Sequence, residues 1–145
     1  MKKIKQITCL TLLTVLFFAC SSSNSSSNGC LTCTYTLASG ETAGTVPADL
    51  IGVHNLTLQY SQNGYTFSDG TKATFTITAK QMTVEIDGAD CILLENPTAS
   101  ANQVEFTFTD NCRDNLKYSA SISSNGGINE VNVGTLSGTF YGQFH

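Results

Sequence analysis

The chain carries few residues able to do chemistry: six cysteines, two histidines and eleven carboxylates in 145 residues. Cys30-Leu31-Thr32-Cys33 has the spacing of a redox dithiol. Such a pair is reactive when it opens a helix after a strand, where the helix N-terminus stabilises the thiolate. Here it lies between a Ser-rich stretch and a Thr-rich, strand-like one, which favours a structural role. Zinc would require a second such pair or histidines at ligand spacing; His54 and His145 have no such spacing, and no metal site is expected. His54 could serve as a base, but no Gly-x-Ser-x-Gly elbow supplies a nucleophile for it. Glu85, Asp87, Asp90 and Glu95 form the densest acidic stretch, yet the Asp-x-Asx-x-Asx-Gly spacing of a calcium loop is missing. Tyr35, Tyr60, Tyr65, Tyr118, Tyr141, Phe140 and Phe144 can line a pocket or fill a core. No catalytic constellation emerges, so no enzyme activity and no cofactor are expected.

The elements that hold these residues begin with an address. Met1–Lys5 is basic, and Ile7–Phe18 is an apolar run of twelve residues. As a helix it spans roughly 18 Å, short of the ~30 Å hydrocarbon core, so it reads as a signal-peptide segment. Phe17-Phe18-Ala19-Cys20 follows, a small residue directly before a cysteine at the end of the apolar run. That arrangement resembles the lipobox of bacterial lipoproteins. The resemblance implies a signal peptide over 1–19 and Cys20 as the lipid-modified first residue of the mature chain, with a palmitate-type acyl anchor. The Ser21–Gly29 stretch, SSSNSSSNG, then reads as a polar tether, so that 20–29 links the anchor to a domain over 30–145. Ser21 is not the acidic residue that retains lipoproteins in the inner membrane, and no acidic run follows Cys20. By resemblance, the expected location is the outer membrane, facing the periplasm rather than the cell surface.

Charge excludes one class of partner. Charged residues make up 12% of the chain, about half the usual ~25%. Beyond Cys20 only Lys72, Lys80, Arg113 and Lys117 face eleven carboxylates, a net −7. A nucleic-acid binder needs a basic face, and this chain has none. With Cys9 in the signal and Cys20 lipidated, Cys30, Cys33, Cys91 and Cys112 remain, an even number in an exported domain. Three connectivities are open. If the runs after Cys91 and before Cys112 form a hairpin, a Cys91–Cys112 bridge closes its open end and leaves Cys30–Cys33 as the second pair.

Beyond the tether, apolar residues alternate with period two. Phe75, Ile77 and Ala79 alternate with threonines; so do Met82, Val84 and Ile86 with Thr83, Glu85 and Asp87, and Val104, Phe106 and Phe108 with Glu105, Thr107 and Thr109. Each is a strand with one dry and one wet face. Asn63-Gly64, Asp69-Gly70, the Asn111–Asn115 run and Asn125-Gly126-Gly127 supply hairpin turns. Strands are predicted over 33–38, 53–60, 65–68, 72–79, 82–87, 91–94, 103–110, 116–123, 128–133 and 135–142. The expected fold is all-β, an antiparallel up-and-down barrel of eight to ten strands, with a β-sandwich as the alternative.

Two resemblances bear on this domain. Leu50-Ile51-Gly52-Val53-His54, entering the first long strand, resembles the opening of lipocalin-like barrels, in which the aromatic of a Gly-x-Trp step plugs the closed end. The runs VPADLIGVHNLTL, YTFSDGTKATFTI and NEVNVG with GTFYGQF together resemble an exported Bacteroidota module that carries no assigned activity. They imply a small barrel on a lipid anchor. The leading expectation is a structural or protein-interaction module of the envelope. An apolar ligand inside the barrel is the alternative, and a hydrolase the weaker one. The partners implied are the membrane, through the lipid, and an envelope protein or small apolar ligand.

Overall fold

A computed structural model of the chain describes residues 29–145. The signal segment 1–19, Cys20 and residues 21–28 lie outside the described residues. The fold is all-β and barrel-like. Its strands are β1 (Leu31–Thr34), β2 (Gly52–Ser61), β3 (Lys72–Ile77), β4 (Gln81–Ile86), β5 (Ile92–Glu95), β6 (Thr98–Ala99), β7 (Glu105–Asp110), β8 (Leu116–Ile122), β9 (Ile128–Thr135) and β10 (Phe140–Phe144). They form one ten-stranded sheet in the order β1-β5-β4-β3-β2-β10-β9-β8-β7-β6, curled into a half-barrel.

The dry faces meet inside. Ala73, Phe75 and Ile77 of β3 and Met82, Val84 and Ile86 of β4 are buried, as their alternation predicts. Across the interior they meet Phe106 and Phe108 of β7, Tyr118 of β8, Val131 and Val133 of β9 and Phe144 of β10. Phe75 is the hub. Its ring lies 5.3 Å from Phe144, edge to face, and 6.5 Å from Tyr118. Aromatic pairs at such separations add about 0.5–1.5 kcal/mol each beyond their buried area. Val104, expected on the dry face, is exposed, because β7 begins one residue later.

Three departures from a simple meander shape the molecule. First, β1 pairs with β5 in parallel, Leu31 opposite Ile92 and Thr34 opposite Glu95, so the sheet is not wholly antiparallel. Second, β10 returns to lie against β2, which places the C-terminus inside the sheet. Third, β1 and β6 stand at the two ends of the strand order, so no hydrogen-bonded ladder closes the barrel. A strap over 42–46 spans part of that seam. Ala43 bridges Thr98, the Gly44 N–H donates to the Pro97 carbonyl at 2.7 Å, and the Val46 N–H reaches the Ala79 carbonyl at 3.0 Å. Lys80 Nζ adds a bond to the Gly44 carbonyl at 2.6 Å.

The cysteines pair, but not as the hairpin argument proposes. The bonds are Cys30–Cys91 and Cys33–Cys112, with Cα separations of 4.6 and 5.8 Å. Cys30 and Cys33 cannot join, because three steps of extended strand separate their Cα atoms by roughly 10 Å, beyond disulfide reach. Cys91 does not meet Cys112, because β5 pairs with β1 and β4 and makes no hairpin with β7. Cys30–Cys91 ties β1 to its neighbour. Cys33–Cys112 joins opposite sides of the seam.

Candidate functional site

At one end of the half-barrel the β2–β3 connection, the β4–β5 turn, the β7–β8 connection and the start of β10 gather around a cleft of ≈ 700 Å³. We call this end the mouth. One wall is aromatic. Tyr65 and Tyr141 stack with centroids 5.8 Å apart and 26° between planes, and Phe67 meets Tyr65 edge-on at 5.4 Å. Tyr65 and Phe67 come from a stretch predicted as a strand over 65–68, which forms none. Turning there rather than pairing is what carries the two rings over the mouth.

The other wall is polar and is built by one buried carboxylate. Asp110, fully buried at the end of β7, accepts the backbone N–H groups of Cys112 at 3.1 Å, Arg113 at 2.9 Å and Asp114 at 3.1 Å. This wraps the connection around a single side chain, and Asn115 leaves it in the left-handed region at φ 56° that asparagine tolerates. The loop then holds Arg113 in place. Its Nε donates to Asp114 Oδ2 at 2.7 Å and an Nη to the Asp90 carbonyl at 2.7 Å. Asp110→Ala should strand three N–H groups and cost about 2–3 kcal/mol. Urea unfolding should show a lower midpoint at unchanged slope, with the 111–115 amides losing exchange protection first.

Burial pushes the Tyr65 hydroxyl well above the ordinary tyrosine pKa, with the Asp114 charge adding to the effect. It pushes the Tyr118 hydroxyl, in the core beneath, up as well. The Tyr65 hydroxyl is buried and has no hydrogen-bond partner among the described residues.

The other sequence candidates are scattered. His54 is half-buried on β2, and its Nε2 lies 2.9 Å from the Leu50 carbonyl. A carbonyl only accepts, so Nε2 carries the proton and pins β2 to the short 3₁₀ turn Ala48–Leu50. Leu50 itself is fully buried and enters the core at this end, opposite the mouth. It occupies the inward position that the lipocalin-like reading gives to the residue at 54. Glu85, Asp87, Asp90 and Glu95 do not converge. Glu95 binds Thr34 Oγ1 at 2.6 Å and Gln81 Nε2 at 2.8 Å near the far end, while Asp90 lines the mouth. No group of three or more His, Cys, Asp or Glu among the described residues is placed to hold a metal ion. Of the aromatics, Tyr118 and Phe144 are core, Tyr60 stacks on Phe140 at 6.0 Å with half its surface exposed, and Tyr65 and Tyr141 reach the mouth.

Tyr35 acts locally. Its hydroxyl donates to Glu41 Oε2 at 2.8 Å, and the Ala38 N–H donates to the same oxygen at 2.7 Å. These bonds, the backbone one foremost, hold the Glu41 carboxyl below its ordinary pKa of 4.5. The stabilisation of the 35–41 loop is therefore present above that value and is lost as pH falls through the lower folded pKa. The group lies in a surface loop and is only partly buried, so the global effect is small. An NMR titration should show the Ala38 amide shifting with the Glu41 carboxyl, and Glu41→Gln should flatten that curve.

Arg113, Asp114, Asp110 and Phe67 are the mouth residues that sequence reasoning passed over. The Asp-Asn-Cys-Arg-Asp-Asn run announces a turn, but nothing local says that it faces Tyr65 and Tyr141. No family model, no curated protein and no solved structure matches this chain.

Proposed function

We propose that this chain is a bacterial envelope lipoprotein of the Bacteroidota type, anchored through Cys20 to the outer membrane and facing the periplasm. Its β domain acts by interaction rather than catalysis. The observation carrying the interaction reading is the filled interior. Phe75, Phe106, Phe108, Tyr118 and Phe144 are all within 1% of full burial, and they occupy the space in which a lipocalin-like barrel would hold an apolar guest. A packed core leaves an interaction surface at the ends and on the outside. The anchor rests on the sequence alone. No helix among the described residues is long and apolar enough to cross a membrane.

The described chain begins at the mouth end, since β1 starts beside Cys91 and Asp90 lines the cleft. Nine residues reach at most about 32 Å. A lipid on Cys20 would hold the domain within about that distance of the bilayer surface.

Two measurements test this reading. Cys20→Ala should leave a larger precursor that takes up no labelled palmitate; a variant that still incorporates the acyl label overturns the anchor. Native mass spectrometry of that variant should return the bare chain mass. A co-purifying apolar ligand overturns the filled-barrel reading and restores the lipocalin-like one.

A further inference from the structure

The mouth offers two unlike walls to whatever enters it, and together they narrow the chemistry of the guest. On the aromatic side Tyr65 is covered by Tyr141 in stacking contact and by Phe67 at its edge. The rings pack on one another rather than standing around a void. That makes a platform, not the cage that encloses an ammonium group. Gly64 passes over Tyr141 with no side chain; a Cβ there would stand 3.9 Å from the ring.

On the polar side Arg113 spends two donors on Asp114 and Asp90 and keeps the rest of its guanidinium fork for other partners. The Asp114 side chain is 47% exposed, and Asp90 is exposed beside it. Donors and acceptors thus alternate along this wall. One cation stands against two carboxylates, in a domain of net −7, which disfavours an anionic guest. A purely apolar guest would desolvate the polar wall without pairing it. What remains is a neutral molecule with a flat C–H face and many hydroxyls. A cleft of ≈ 700 Å³ falls within the usual range for ligand sites.

We propose that the mouth cleft binds a neutral oligosaccharide, one pyranose ring lying on the Tyr65–Tyr141 wall and its hydroxyls bonding to Arg113, Asp114 and Asp90. This assignment rests on the interaction reading above and names its partner's chemistry; it does not depend on the lipid.

The test is calorimetric titration of the full chain with maltohexaose, mannohexaose and chitohexaose, and with spermidine as a cationic probe. At least one saccharide should bind with a micromolar to millimolar dissociation constant. Tyr141→Ala should weaken it by about tenfold or more, Asp114→Asn by about threefold, and Tyr60→Ala, on the outer face, by less than about twofold. If Tyr141→Ala does not fold, the exposed Asp114→Asn carries the comparison. Binding of spermidine alone, no binding of any saccharide, or saccharide binding indifferent to both mouth variants overturns the assignment. A chain that ignores all three sugars yet shows a bare native mass overturns it while leaving the filled barrel standing.

Discussion

Replacing Cys33 and Cys112 together by serine should destabilise the domain by about 3.5 kcal/mol and open it along the seam. The figure follows from the ring that the bond closes. Cys30–Cys91 already joins the two halves of the chain. The shortest covalent path from Cys33 to Cys112 therefore runs back to Cys30, across to Cys91 and on to Cys112, a ring of about 26 residues. Releasing such a ring restores roughly 11–12 cal/mol/K of chain entropy to the unfolded state in the loop-closure model. The spatial effect separates this bond from the other. No strand pairing joins β1 to β7, so Cys33–Cys112 is the covalent tie across a gap that backbone hydrogen bonds leave open. Its loss should raise exchange in β1 and in the 111–115 loop together, and so loosen the polar wall of the mouth. Removing Cys30–Cys91 should free the N-terminal residues and leave that loop protected. Hydrogen exchange on the two double variants, beside urea unfolding, distinguishes the cases. Equal exchange profiles would show that the seam is held by packing and the strap alone.

The second large effect is expected in alkali. Tyr118 and Tyr65 are held protonated in the folded state, chiefly because burial penalises a phenolate. In the unfolded chain each titrates near its ordinary value of 10.0. The folded pKa is raised, so the stabilisation is fully present below pH 10 and is lost as pH rises from there towards the folded values. Each buried tyrosine should remove about 1.4 kcal/mol per pH unit. Two of them remove about 5 kcal/mol by about pH 12, comparable to the whole stability of a modest domain. The chain has no tryptophan, so tyrosinate absorbance and near-ultraviolet dichroism report on its five tyrosines directly. Part of the tyrosinate signal should appear only with unfolding, in one cooperative step. Tyr118→Phe should roughly halve the alkaline slope, since Phe fills the same space and cannot ionise. All five tyrosines ionising while the dichroism stays native would contradict this account.

The two predictions draw on features of different legibility. The strands are written locally. Phe75 and Ile77, or Met82, Val84 and Ile86, show their dry face through alternation that needs no knowledge of any partner, and they are buried as that alternation implies. Turns are local as well, and Asn63-Gly64 and Asn125-Gly126-Gly127 lie between strands. The irregular 65–68 stretch is less legible. Tyr-Thr-Phe has strand propensity, and only its packing over the mouth overrides that. Pairing is harder again. Short links favour hairpins, yet β1 reaches past three strands to lie parallel to β5, and β10 returns to β2. Each choice is decided by which dry faces meet across the interior, which no short window records.

By itself, the sequence determined that the domain is all-β, that its interior is made of Phe, Ile, Val and Met from alternating runs, and that four cysteines remain to staple it. Those properties depend on near neighbours along the chain and on simple counts. Only the tertiary structure decided which cysteines meet, that the barrel stays open along a seam, and that Tyr65, Tyr141, Arg113 and Asp114 share one cleft. Residues up to 77 positions apart converge there, because the curl of the sheet brings its hairpin ends together at the mouth. That curl is a property of the whole sheet, set by twist accumulated over ten strands and by a covalent tie across its edges.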